Sequence, residues 1–309
     1  MEVILHIGAH RTGTTSFQNY VRTSRAVLDG QGIGFWGPWR TRNGLLDGII
    51  SPADTPEQAT RAARRVQMNL RKSRSMGKTQ LIVSDENLIG SCRQSLRAGR
   101  LYPDIGERMA KVHAGFGTIT RVCFQIRSPE IWWSSALAFV VERGQAVPDR
   151  RLLEYLARSS RRWRDVISDI ARACPDAEIQ VNPFEDYAGT PDRLLSQMTG
   201  FAAVPTVSAP FWDNRSLSAP ELRAVLSARG ENPQLISGEG RWLPFNPTQI
   251  AHLRESYADD LFWLRAGADG LATMTEDTGA RDEGTTPALR LRMRGQNNDE
   301  FTRRVAPDR

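Results

Sequence analysis

The chain has 309 residues, of which 40% are hydrophobic and 25% charged, with 41 basic against 35 acidic side chains and a net charge of +6. This is ordinary globular composition, enough for a sizeable core, and no apolar run approaches the roughly 20 residues needed to span a bilayer. The modest positive excess suits an anionic ligand, and by itself would equally suit weak attraction to nucleic acid or acidic glycans.

The first residues, Met1 to Ile7, form a short apolar run rather than a signal peptide, because they lack a basic leader and a long apolar stretch. Residues 3–7 read as a buried strand ending at Gly8. A Gly/Thr turn follows, then a helix over residues 14–28 and a loop punctuated by Gly30, Gly32, Gly34 and Gly37. Thr55, Pro56 and Gln58 mark a helix start, with Thr55 as cap, Pro56 in the first turn and Gln58 completing a capping box; this arginine-rich helix runs to about Ser75. Residues 80–84 and 118–126 are apolar strand-like runs. Helices are expected at 129–141 and 149–173, then a strand at 178–181, a loop-rich stretch at 203–244 holding a short helix at 219–227, and a helix at 247–265. Alternating strands and helices predict an α/β domain, residues 1–270, with a central, mostly parallel sheet and helices on both faces. Residues 271–309 are polar and read as a disordered tail.

Cys92, Cys123 and Cys174 are odd in number, far apart and without a CxxC pair, so neither a disulfide framework nor a thiolate zinc site is indicated. The histidines His6, His10, His113 and His252 lack the spacing of a shared metal site, and no metal is expected. Thiols without a disulfide pattern and the absence of a leader predict a cytoplasmic protein.

Three short segments carry chemistry. Gly8, Ala9, His10, Arg11, Thr12, Gly13, Thr14 and Thr15 lie between strand and helix. There, backbone N–H groups and a helix N-terminus point at an anion, hydroxyls add donors, and Arg11 adds a fixed charge. The Gly8-x4-Gly13 spacing is that of a P-loop, but Thr14 stands where an ATPase loop has lysine. In the second segment Arg127 ends a strand, Pro129 opens a helix, and Ser135 lies eight positions after Arg127, about two turns into that helix. An arginine and a serine so placed can hold a phosphate. In the third, Asp85 and Glu86 close the strand at 80–84, where ligands of open parallel sheets bind. Glu86 suits a general base and Asp85 a helix cap. The rival reading is a Mg-ATP kinase or NTPase, with Asp85 on the metal and Glu86 activating water.

The loop HIGAHRTGTTSFQ resembles the 5′-phosphosulfate loop of sulfotransferases that use 3′-phosphoadenosine 5′-phosphosulfate (PAPS), with Arg11 where lysine is usual. Arg127, Pro129, Glu130 and Ser135 resemble the same family's 3′-phosphate motif. By its place after a strand, Glu86 is similar to the catalytic glutamate of the glycan-type members, with Asn87 where those have lysine. Gly240 and Arg241 resemble part of a K-G-R loop that wraps the nucleotide, with Glu239 in place of its lysine, and the stretch around Glu185 and Asp186 resembles a turn leading into a helix. The resemblance implies a bacterial-type sulfotransferase on a P-loop NTPase-like three-layer sandwich, with PAPS as co-substrate. It implies Arg11 and Glu86 as catalytic groups, and donor contacts from Gly8, His10, Arg11, Thr12, Gly13, Thr14, Thr15, Arg127, Ser135, Gly240 and Arg241. The partners it implies are the nucleotide donor and a hydroxyl- or amine-bearing acceptor, glycans included, with neither nucleic acid nor a membrane span. A module that binds the nucleotide without catalysis is the reading that the Arg11 and Glu239 departures leave open. Trp36, Pro38 and Trp39 are candidates for an acceptor wall or for plain packing, and Trp132 and Trp133 for packing.

Overall fold

The computed structural model describes residues 1–50, 55–206, 213 and 215–275. The chain opens with β1 (Glu2–His6), α1 (Thr14–Thr23), α2 (Arg25–Gly30), β2 (Ile33–Trp36) and the single turn α3 (Pro38–Arg40). Next come α4 (Pro56–Ser75), β3 (Gln80–Ser84), α5 (Cys92–Ala98), α6 (Ile105–Phe116) and β4 (Arg121–Ile126). They are followed by α7 (Pro129–Glu142), α8 (Arg150–Ala157), α9 (Trp163–Ala173), β5 (Glu178–Pro183), the turn α10 (Phe184–Tyr187) and α11 (Pro191–Thr199). The described chain closes with α12 (Ala219–Ala228), α13 (Pro247–Arg265) and β6 (Thr273–Met274).

The six strands form one sheet in the order β2-β3-β1-β4-β5-β6, and every pairing is parallel. Side chains alternate between the two faces of each strand, and both faces are apolar, as a parallel sheet covered by helices requires. Val3, Leu5, Leu81, Val83, Val122 and Phe124 face a core completed by Val66 of α4, Met109 of α6, Trp132 of α7, Ile170 of α9 and Leu253 of α13. Ile4, Ile82 and Cys123 face the other way, onto Phe17 and Val21 of α1 and Leu194 and Met198 of α11. The molecule is therefore an α/β three-layer sandwich, as the alternation of elements predicts. Trp132 and Trp133 are buried packing residues, and Cys92, Cys123 and Cys174 are free buried thiols.

Beyond small shifts at strand ends, four features differ from the sequence reading. The helix expected over 14–28 breaks at Ser24, where Thr23 Oγ1 donates back to the carbonyls of Asn19 and Tyr20 and loosens the last turn of α1. The helix expected over 149–173 is two helices. Asp165 accepts from the Arg162 N–H at 2.8 Å and Asp260 from the Trp163 N–H at 2.9 Å, so a new helix starts there. The glycine-rich loop contains the strand β2, four residues long and at the sheet edge, whose Trp36 is buried in the core. Finally, the sheet continues past residue 270, because β6 pairs with β5 and the Thr275 N–H donates to the Val181 carbonyl at 3.0 Å. The domain therefore includes residues 271–275, and the rest of the proposed tail, 276–309, lies outside the described residues. Among the described residues no helix is long and apolar enough to cross a membrane.

Candidate functional site

The sheet order decides where the chemistry gathers. β3, β1 and β4 are adjacent, and all three point the same way. Their C-terminal ends carry Asp85 and Glu86, the loop at residues 8–15, and Arg127. The chain leaves β1 toward one edge of the sheet and returns to β4 on the other side, so this is a topological switch point, where open α/β sheets bind ligands.

The loop after β1 curls tightly. Arg11 and Gly13 both have left-handed backbones, with φ 68° and 78°. Such a backbone costs arginine something, and Gly13 nothing. A Cβ on Gly13 would also lie 3.2 Å from the Phe184 ring. Gly8 is hemmed in differently, since its Cβ would sit 3.0 Å from Thr14 Oγ1, 3.1 Å from Thr12 Oγ1 and 3.2 Å from Gln125 Oε1. Thr12 Oγ1 donates to the Ala9 carbonyl at 2.5 Å and so braces the loop from within. Thr14 Oγ1 is buried with no hydrogen-bond partner. At the start of α1, where Thr14 and Thr15 sit, the first N–H groups have no acceptor within the helix.

The structure gives His10 a bracing position rather than an open one. Its backbone N–H donates to the Tyr102 hydroxyl at 2.7 Å, and its ring nitrogens lie 3.0 Å from the same hydroxyl and 3.3 Å from Asn87 Oδ1. All three nitrogens are thus engaged inside the protein, on Tyr102 and Asn87. Burial keeps the imidazole below its ordinary pKa and pushes the Tyr102 phenol well up.

Arg11, Arg127 and Ser135 come together although the loop and the β4–α7 junction are more than a hundred residues apart. Arg127 Nη1 donates to the Arg11 carbonyl at 2.8 Å, and Arg11 Nε donates to Ser135 Oγ at 3.0 Å. Arg11 Nη2 reaches Ser216 Oγ at 3.0 Å, and Ser216 is itself hydrogen-bonded to Ser135. The Arg127 carbonyl accepts from Trp163 Nε1 at 2.8 Å, which pins the end of β4.

Burial, with the neighbouring cations Arg241 and Arg11, lowers the Arg127 pKa to about 9, and burial lowers those of Arg11 and Arg241 too. The two nearby acids are engaged elsewhere. Glu130 takes Arg254 Nε at 2.8 Å and the Ser128 hydroxyl, while Glu185 takes the Ser128 N–H at 3.0 Å and the Tyr257 hydroxyl at 2.9 Å. Among the described residues Arg127 has no carboxylate within ion-pair distance. A buried arginine such as Arg127, crowded by the neighbouring cations Arg241 and Arg11, makes a site that favours an anion. Glu185 is thereby more than a turn residue, since it anchors the Ser128 backbone that follows Arg127.

Gly240 and Arg241 approach from the 238–245 segment. The Gly240 carbonyl accepts from the Ala219 N–H at 2.8 Å, and a Cβ on Gly240 would meet open space, so packing does not demand glycine there. Glu239 does not face the cations unopposed, because Arg223 pairs with it at 3.1 Å.

Asp85 is fully buried. It accepts from the Asn87 N–H at 3.0 Å, Thr41 Oγ1 at 2.5 Å and Arg42 Nη2 at 2.6 Å. Its structural role matches the sequence reading. Glu86 takes Arg42 Nη2 at 3.0 Å on Oε1 and Gln18 Nε2 at 3.1 Å on Oε2. Burial opposes its ionisation, but Arg42, its own backbone N–H and His10 outweigh burial and hold the carboxyl below the ordinary range.

Sequence reasoning missed Gln18, Arg42, Ser216 and Phe184, all of which act across the fold. Phe184 lies 4.5 Å from the Arg127 guanidinium and, with Thr12, Gly13, Phe17, Tyr187 and Leu194, lines a cleft beside the loop. Of the candidate acceptor-wall residues, Trp36 is buried, whereas Trp39 is 84% exposed on α3, three residues before Arg42. Arg61, Arg64, Arg71 and Arg74 of α4 are exposed. Among the described residues no group of three or more His, Cys, Asp or Glu could hold a metal ion. No family model matches the chain, and no curated protein matches it.

Proposed function

We propose that this protein is a PAPS-dependent sulfotransferase that moves a sulfuryl group to a hydroxyl or amine. The observation that carries the proposal is the meeting of two anion-binding segments, made by the bonds from Arg127 to the Arg11 carbonyl and from Arg11 to Ser135. A donor bearing phosphate groups at two separate positions needs two such segments side by side, whereas a nucleoside triphosphate needs one.

The residues present fit such a donor. The tight turn at Gly8, the unpartnered Thr14 hydroxyl and the start of α1 suit the 5′ end. Arg127, Ser135 and Arg241 suit the 3′-phosphate. Arg11 is turned toward Ser135 and Ser216, so its charge stands between the two anion positions. Phe184 offers an aromatic wall for the base. The donor supplies a sulfuryl group activated by its bond to phosphate. Glu86 takes the acceptor's proton as the acceptor atom bonds to sulfur, and the loop N–H groups with Arg11 stabilise the charge left on the departing phosphate. Mg-ATP chemistry through Asp85 is the weaker reading, because its carboxylate is enclosed by Thr41, Arg42 and Asn87.

Calorimetric titration with 3′,5′-adenosine bisphosphate, ADP and ATP, with and without Mg²⁺, tests the proposal. Metal-free binding of the bisphosphate, tighter than that of ADP, is expected. Preference for Mg-ATP would overturn the assignment of Arg127 and Ser135.

A further inference from the structure

We propose that Arg42 is a positioning residue for Glu86, a clamp that spans Asp85 and Glu86 and fixes the Glu86 carboxylate in place. The inference rests on the sulfotransferase reading, and its geometry is independent of it.

Arg42 follows the turn α3 and reaches back across the end of β3. Its fork is seated on Asp85, with Nη2 2.6 Å from Oδ1 and Nε 3.1 and 3.2 Å from the two oxygens. Asp85 cannot give way, because Thr41 and the Asn87 N–H hold it as well and its side chain is 0% exposed. The same Nη2 then takes Glu86 Oε1 at 3.0 Å. One guanidinium therefore spans an immobile buried carboxylate and the working one, which lysine, a point charge without a planar fork, cannot do. Exposure rises from Asp85 through Glu86, at 17%, to Arg42, at 40%, so the clamp lies on the solvent side. Arg42 donates to one Glu86 oxygen and Gln18 to the other, the Glu86 backbone N–H adds to them, and a carboxylate has about four acceptor positions. Room remains to receive a proton.

The groups that face Glu86 are few. Arg42 and Gln18 touch it, and Asp85 precedes it. His6 and His10, from β1 and its loop, have imidazoles that burial shifts below their ordinary pKa, and burial raises that of the Tyr102 phenol. Arg42 is thus the one cation in contact with Glu86 among the described residues.

The test is carboxyl-carbon NMR on protein labelled with [5-¹³C]glutamate, with the Glu86 signal assigned by its loss in Glu86→Gln. The wild-type protein is compared with Arg42→Lys and with the double variant Arg42→Gln, Asp85→Asn, in which the fully buried Asp85 charge is removed together with its partner. The Glu86 titration is expected to move up by about one pH unit or more in the double variant, because the largest charge opposing burial is then gone, and by less in Arg42→Lys. The acid limb of bisphosphate release from PAPS into water should rise with it, while affinity for the bisphosphate stays within about twofold. An unmoved Glu86 titration would overturn the positioning role. A moved titration in a protein that fails to bind the bisphosphate would overturn the sulfotransferase reading instead, so the two failures are separable.

Discussion

Acidification tests the buried floor of the site without reference to any ligand. His6 closes β1 and is fully buried; Nε2 lies 3.2 Å from Gln125 Oε1, Nδ1 lies 2.8 Å from Ser84 Oγ, and its ring is 4.3 Å from that of Phe17. Burial lowers its pKa from 6.5 to about 4, against the weaker opposing pull of Gln125 and Glu86. Between those two values the unfolded chain binds the proton and the folded chain does not, so stability falls as pH falls. The whole effect amounts to about 3 kcal/mol, of which about 2 kcal/mol is lost between pH 7.5 and 5. Burial also raises the pKa values of Glu185 and Asp260, so a variant must isolate His6. Urea unfolding of the wild-type protein and of His6→Gln, measured at both pH values, supplies that difference. His6→Gln is expected to lose about 2 kcal/mol less than wild type on acidification. PH dependences parallel to within about 0.5 kcal/mol would refute the reasoning, since a neutral buried histidine cannot then be a source of acid lability.

Three further outcomes concern the site. Glu86→Gln should leave bisphosphate affinity within about twofold by calorimetry and reduce bisphosphate release from PAPS by about a hundredfold or more, the scale of a lost general base. Arg127→Gln should weaken bisphosphate binding by about ten- to a hundredfold, equivalent to the about 1.5–3 kcal/mol of a hydrogen bond to a charged group, and should weaken ADP much less. Gly8→Ala places a methyl 3.0–3.2 Å from three polar oxygens. It should lower unfolding free energy by about 1–3 kcal/mol in urea titrations and reduce bisphosphate affinity with it.

Much of the architecture is legible in local chemistry. Thr55 and Pro56 mark the start of α4, and the Thr55 side chain accepts from the Gln58 N–H as a cap should. Asn246 and Gln249 form a reciprocal capping box where the apolar pattern of α13 begins. The run at Gln80–Ser84 is apolar because both of its faces are covered. Such features depend on neighbours in sequence, so pattern alone reaches them. The break before Trp163 does not, since it depends on Asp260 accepting the Trp163 N–H from a helix about a hundred residues away. β2 escapes for a related reason: its glycine dilutes the apolar signal, and only pairing with β3 makes it a strand.

The site divides along the same line. Sequence alone determined the loop at residues 8–15, the arginine and serine at the β4–α7 junction and the paired acids after β3, because each is a short segment with its own turn or cap chemistry. Only the tertiary structure decided that Arg11 turns to Ser135 and Ser216, that His10 is spent on Tyr102 and Asn87, and that Arg42 grips Glu86. Those contacts follow from placing β3, β1 and β4 side by side. Strand order arises from how whole elements bury their faces together, and no local periodicity encodes it.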